Sequence, residues 1–269
     1  MILDNGYIEL IEVWGSDERI IESARMSTGK GFLGWGYYEC SKCGCKWRDN
    51  YDNTMSLLDS EQKSCNICEY QPLHKLVKIS GDEKLLKYLW NNRHTTPFEQ
   101  CGVTFEVQAP IMVFREWHRH RTQSYNEFSA RYEQMPNLHY LPTVERCKMT
   151  SATNKQAQAL IDSNDGHPTE DLQIEKWIIH AEFLQQQIYD HYEIGLKMGI
   201  PKEVARLNTP VSRYSKMRAS GNLLNWLRFL GLRDAPNAMF EIREYAKAAS
   251  QLITEKFPRT MELFQEKRI

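Results

Sequence analysis

Between Arg119 and Tyr132 the chain reads RHRTQSYNEFSARY, with three arginines, a histidine, two serines and two tyrosines in fourteen residues. Arg115, Glu116, Trp117 and His118 extend the cluster upstream. The formal charge of the whole chain is -1, so this positive density is local. Guanidinium forks can grip phosphate oxygens with two parallel hydrogen bonds, and hydroxyls beside them can read a sugar or a base. The plainer alternative is a solvated, salt-bridged face, which is what most charge runs are.

A second cluster is built on sulfur. Five of the seven cysteines fall together, as Cys40-Ser-Lys-Cys43, Cys45 and Cys65-Asn-Ile-Cys68. Two C-x-x-C pairs separated by about twenty residues fit a zinc ribbon or knuckle. Each pair forms a tight turn that aims two thiolates at one ion, and Gly44 suits such a turn. Four thiolates from Cys40, Cys43, Cys65 and Cys68 leave no open position for water, so the expected zinc is structural. Cys45 is a spare that could exchange with Cys43. An unmetallated cysteine-rich loop or a redox switch is the competing reading. His118 and His120 are two apart and diverge on a helix, and no HExxH is present, so a catalytic metal is not expected.

The elements that position these clusters read as α+β. Ser16 before Asp17 and Glu18 predicts an N-cap, with Ile20, Ile21 and Ala24 on one helix face. Val103, Phe105 and Val107 alternate with polar residues, which predicts a half-buried strand ended by Pro110. Ile111 to His120 has helical spacing and delivers the arginines from a helix end into a loop. Ile174 to Met198 predicts a long amphipathic helix, followed by a short helical segment from Pro201 to Arg206. Two more helices are expected from about Asn222 to Leu232 and from about Pro236 to Lys256. Trp177, Trp226 and Phe229 read as core or subunit-interface residues. Gly29 to Leu76, rich in Gly, Cys, Asp, Asn and Ser, cannot build a core alone and reads as a metal-stapled insertion at 29–76.

The motif RHR-x-x-S-x-N-E-x-S-x-R-Y resembles the signature of flavin-dependent thymidylate synthases. Three further segments resemble that family in the same order: GSDERIIESARMS (Gly15 to Ser27), HTTPFE (His94 to Glu99) and GNLLNWLRFLGLRDAPNAMFEIREYA (Gly221 to Ala246). The resemblance covers most of the chain, apart from about Gly29 to Leu76 and the neighbourhood of Thr150 to Asp171.

The resemblance implies an α+β fold, an antiparallel sheet with helices, in one catalytic domain (1–269) carrying the zinc-bound insertion. It implies reductive methylation of dUMP to dTMP with 5,10-methylenetetrahydrofolate as carbon donor and NADPH as reductant, through FAD, in a homotetramer. Its dUMP positions are Glu116, Trp117, His118, Arg119, Glu127, Phe128, Ser129, Ala130, Arg131, Arg206 and Arg233. Ser129 and Arg131 would hold the phosphate from an extended loop, with Arg206 a second phosphate contact. Ser129 has no neighbouring base and is read as a ligand rather than a nucleophile. Arg233 would face the uracil and stabilise negative charge as C5 attacks the methylene carbon. Its FAD positions are Ser27, His94, Thr96, Arg119, His120, Arg121, Glu127, Asn222, Leu223, Leu224 and Arg228. Departures from the family pattern are Glu116 in place of a common glutamine and Asn237 in place of a common histidine, while Leu224 and Arg228 occupy places that often carry a basic or amide residue. A carboxylate at 116 needs an arginine to neutralise it, for which Arg115 and Arg119 are the expected partners.

The alternative function is a zinc-ribbon adaptor for nucleic acid or protein, but Glu39, Asp49, Asp52 and Asp59 offset the basic residues there. A pI near 6.7, with 41% hydrophobic and 26% charged residues, argues against general nucleic-acid or membrane-surface binding. No apolar run long enough for a leader or a membrane span is present, and the expected address is the cytoplasm, where thiols stay reduced.

Overall fold

The computed structural model of the chain describes residues 1–48, 67–68, 76–79, 81–151, 154–157 and 171–268. Along the chain the elements are β1 (Tyr7–Trp14), α1 (Asp17–Arg25), β2 (Tyr37–Cys40), β3 (Lys46–Arg48), β4 (Leu76–Ile79), α2 (Glu83–Asn91) and α3 (Thr96–Glu99). There follow β5 (Gly102–Pro110), α4 (Ile111–Trp117), β6 (Ser124–Glu127), α5 (Val144–Cys147), α6 (Asp171–Lys197) and α7 (Lys202–Ala205). The chain continues through β7 (Tyr214–Asn222), α8 (Leu223–Arg233), α9 (Phe240–Lys256) and α10 (Pro258–Glu266). Two compact units result: Met1–Val13 with Gly102–Lys256, and Trp14–Cys101 with Phe257–Arg268.

The first unit is organised by the sheet β1-β5-β7-β6. β5 follows its expected alternation, with Val103, Phe105 and Val107 fully buried. It pairs antiparallel with β7 over nine positions, from Gly102 opposite Asn222 to Pro110 opposite Tyr214. β6 pairs with the other edge of β7, from Ser124 opposite Ser220 to Glu127 opposite Met217. α8 lies beside these strands and is buried at Leu223, Leu224, Trp226, Leu227, Phe229 and Leu230. A helix apolar on most of its surface belongs inside a core. Trp226 donates its indole N–H to the Val103 carbonyl at 3.0 Å and packs edge-on against Phe105 at 4.9 Å. Trp117 of α4 joins the cluster, 4.6 Å from the Phe229 ring.

α6 turns Ile174 and Tyr192 inward, whereas Trp177, Ile179, Phe183 and Leu184 point outward. Trp177 is 59% exposed, so it is not a core residue of this chain.

In the second unit Ser16 caps α1 as expected, its hydroxyl accepting from the Arg19 amide at 3.3 Å. The buried Asp17 carboxylate accepts from the Arg259 and Thr260 amides and the Thr260 hydroxyl, at 2.8, 3.2 and 2.6 Å, which satisfies the first N–H groups of α10. The strands β3-β2-β4 form a small separate sheet. A turn joins β2 to β3, closed by the Gly44 amide on Cys40 O (2.9 Å) and the Cys40 amide on Cys45 O (3.0 Å). Gly44 takes φ +69 there, a conformation that glycine adopts without strain.

Candidate active site

α4 ends at Trp117, and the RHR segment that follows is a turn pinned from below. The Tyr125 hydroxyl lies 2.8 Å from the His120 carbonyl and 3.1 Å from the Trp117 carbonyl. Gln123 is buried beside it and accepts from the Trp117 indole at 3.1 Å. Arg119 and Arg121 are left exposed on the outside of this turn. Trp117 itself is fully buried and packs in the core.

The end of α8 closes onto this turn. Arg233 donates Nη1 to a Glu116 carboxylate oxygen at 2.7 Å, Nη2 to the Glu116 carbonyl at 2.8 Å and Nε to His120 Nε2 at 2.9 Å. The group that neutralises Glu116 is therefore Arg233, with Arg119 more distant at 4.0 Å. Of the two expected partners, Arg119 is within ion-pair distance of Glu116, but the nearer group is Arg233, which was not expected. Burial first, and then the Arg233 charge, push His120 down to about 4. A neutral imidazole at pH 7 can accept the Arg233 N–H, and a protonated one could not.

Past Glu127 the chain departs from the extended loop expected for Ser129 and Arg131. The Tyr132 and Glu133 amides both donate to the Ser129 carbonyl, at 3.0 and 3.2 Å, which makes a tight turn. Within it the Ser129 hydroxyl accepts from the Arg131 amide at 3.3 Å, while the Arg131 guanidinium pairs with Glu203 at 2.9 Å. Ala130 is tucked into a small apolar cluster with Met135 and Tyr192. A cavity of about 330 Å³ opens beside the turn, lined by Glu127, Phe128, Ala130, Arg206, Arg213 and Ser215 among others. That volume is at the small end of the range for ligand pockets. Glu127 accepts from the Ser215 hydroxyl at 2.9 Å. Arg206 is half-buried at the wall and makes no side-chain hydrogen bond among the described residues.

Asn222 is the N-cap of α8 and accepts from the Asn225 amide at 3.0 Å. Leu223 and Leu224 are wholly buried, whereas Arg228 is exposed. Ser27, His94 and Thr96 are exposed residues of the second unit.

The family profile described as thymidylate synthase complementing protein matches residues 9–259. A flavin-dependent thymidylate synthase of Wolbachia pipientis is 32% identical over 98% of this chain and 75% of its own length. The chain belongs to the flavin-dependent thymidylate synthase family. A second such synthase, from Thermus thermophilus, is 30% identical over 98% of this chain and 77% of its own. A solved structure of the Streptomyces cacaoi UMP/dUMP methylase PolB with 5-Br dUMP superposes with TM-score 0.69 at 26% identity, covering 99% of this chain and 97% of that one. The fold is the family's α+β arrangement of helices on an antiparallel sheet, and membership in an enzyme family disfavours the adaptor reading. No helix among the described residues is long and apolar enough to cross a membrane.

In this flavin-dependent synthase fold, the RHR turn, Glu116, Arg233, Glu127 to Arg131 and Arg206 all come from one unit. Sequence reasoning missed Arg213, Tyr214 and Ser215 of the cavity wall. Their signal was hidden because β7 has no strong apolar alternation. Gln123 and Tyr125 were also missed as supports, although both lie inside the motif.

His139, like His120, is pushed down to about 4, by burial and then by Arg213. Both folded values lie below the ordinary histidine range, so the unfolded chain takes up protons first as pH falls. Their stabilising contribution is complete above about pH 6.5 and is lost as pH falls towards 4. Thermal melts should show a falling midpoint across that window, flattened in His139→Gln. An unchanged slope in that variant would reject the assignment.

Proposed function

We propose that this chain carries out reductive methylation of dUMP to dTMP, using 5,10-methylenetetrahydrofolate and NADPH with FAD as bound cofactor. The observation that carries the reading is the arginine grouping of one unit. Arg233 is fixed against Glu116 and His120, and Arg206 stands with Arg213 around a nucleotide-scale cavity. In this reading Arg206, Ser129 and Arg131 hold the dUMP phosphate, once Arg131 exchanges Glu203 for it. Glu116, His118, Arg119, Phe128 and Ala130 shape the rest of the dUMP site, with Trp117 packed beneath them. Arg233 faces the pyrimidine, where its charge offsets the negative charge that develops as C5 attacks the methylene carbon.

The residues fit a flavin. The buried Nε2 atoms of His118 and Gln123 have no partner among the described residues, and Arg119 and Arg121 are exposed on the same turn. In the first unit Arg119, His120, Arg121, Glu127, Asn222, Leu223, Leu224 and Arg228 are the candidates to hold FAD; Ser27, His94 and Thr96 are the candidates in the second unit. When bound, FAD supplies hydride chemistry that no side chain can. The purified protein should be yellow. Tritium release from C5-labelled dUMP should require both NADPH and the folate, and release without either would reject the reaction.

The cysteine-rich segment fits zinc. The thiols of Cys40, Cys43 and Cys68 lie within 4.8 Å of one another, and those of Cys40 and Cys68 are 3.8 Å apart. Ligands about 2.3 Å from one ion at tetrahedral angles are separated by about that edge. The Cys43 thiol is held down to about 6, chiefly by the Cys68 thiol and then by the Cys45 backbone. Cys65, the expected fourth ligand, lies outside the described residues. In this reading 29–76 is a zinc-stapled insertion within one catalytic domain spanning the chain. Metal analysis should give about one zinc per chain, as one tetrahedral centre requires. Cys65→Ser should lose the metal while keeping flavin, and zinc-free protein with an ordered insert would overturn the site.

The exposed apolar residues of α6, including Trp177, Ile179 and Phe183, support a homotetramer, and nucleotide synthesis supports a cytoplasmic address.

A further inference from the structure

Arg213 is the buried cation that the family motif does not account for. It is 2% exposed. Its guanidinium stacks 5.1 Å from the Tyr189 ring, donates to the Pro136 carbonyl and reaches His139 Nε2 at 3.4 Å. All three are uncharged partners, His139 because its proton is lost well below pH 7. The Nε atom is buried with no partner at all among the described residues. No carboxylate pairs with it there. The acids nearest by lining, Glu127 and Glu203, are engaged by Ser215 and Arg131. Burial alone pulls the Arg213 pKa down, and the groups that act against this are the Tyr189 and Tyr192 hydroxyls.

Such a charge is costly. Removing an ion from water costs several kcal/mol even after relaxation, and folded chains normally offset it with an opposite charge. Here the offsetting charge is missing from the protein, and Arg213 borders the cavity that also holds Arg206. We propose that Arg213 is a positioning residue for the substrate, the fixed counter-charge of a phosphate monoester seated in this cavity. It acts through its field across a low-dielectric wall, while Arg206 makes the direct contact. The proposal rests on the function read above and adds a determinant of selectivity for the phosphorylated nucleotide over the nucleoside. A field of this kind favours the anionic ligand in proportion to its charge and is indifferent to the base.

The test compares dUMP with deoxyuridine on flavin-loaded wild type, Arg213→Met and Arg213→Lys, by calorimetry. Arg213→Met should weaken dUMP by roughly tenfold or more, the effect of a lost nearby charge in a poorly screened wall. Deoxyuridine binding should stay within roughly twofold, and Arg213→Lys should recover most of the dUMP affinity. A role confined to packing would weaken both ligands alike, and that result overturns the proposal, as does unchanged dUMP affinity in Arg213→Met. If Arg213→Met does not fold, wild-type melts with inorganic phosphate and with deoxyuridine decide. Stabilisation by phosphate but not by deoxyuridine, kept in Arg213→Lys, supports the field; no stabilisation by phosphate, or its loss in Arg213→Lys, rejects it. Wild-type protein that binds no dUMP at all would instead reject the proposed function.

Discussion

Arg233→Ala is expected to lower dTMP formation by roughly two orders of magnitude or more while FAD stays bound, as loss of one well-placed charge stabiliser does. The expectation rests on how the guanidinium is held. Three of its nitrogens are committed to Glu116 and His120, so its position is set before any ligand arrives. Preorganised charge needs no rearrangement at the moment of reaction, which is why it is effective. The substitution also strips the Glu116 carboxylate of its 2.7 Å partner, and an unpaired acid in the proposed pyrimidine site would repel the same developing charge. The double variant Arg233→Ala/Glu116→Gln separates the two effects. It should recover thermal stability but not turnover. Tritium release from C5-labelled dUMP is the readout, and near-normal release in Arg233→Ala would remove this residue from the chemistry.

Trp226→Ala should be the most damaging change in the fold, costing about 3–5 kcal/mol. That approaches the whole margin of a typical domain, about 5–15 kcal/mol. The indole is fully buried and touches Phe105, Phe229 and Trp117, at ring separations of 4.9, 5.6 and 6.2 Å. It also donates to the Val103 carbonyl of β5 at 3.0 Å, a bond that the alanine variant loses. Trp226→Phe keeps most of the volume and should lose less. Denaturant titration of both variants measures this, and a loss below about 1 kcal/mol in the alanine variant would show that the site collapses around the gap.

Much of this architecture was legible because local chemistry and fold agree. The Ser16 cap, the alternation of β5, the long α6 and the burial of α8 all follow from patterns within a dozen residues. β7 was not legible. Its sequence, YSKMRASGN, turns Met217 and Ala219 to the core, neither of them a strong strand former. Its extension is imposed by partners on both sides, which no local window contains. The same limit hid Arg213 at its base and the pairing of Glu116 with Arg233, residues 117 apart in sequence. The Ser129 turn was misread as extended because its hydrogen bonds are backbone ones that composition does not encode.

The central place of β7 has a consequence for how this protein can diversify. Arg218 lies opposite Glu106 on one side and Asn126 on the other, so one strand sets the register of both ladders at once. Side chains alternate faces with a period of two, and deleting a single residue between Tyr214 and Asn222 would turn the remainder of that strand over. It would also slide β6, and the motif residues it carries, against the sheet. Register therefore constrains the length of β7 more tightly than the identity of its exposed residues, such as Lys216 and Arg218.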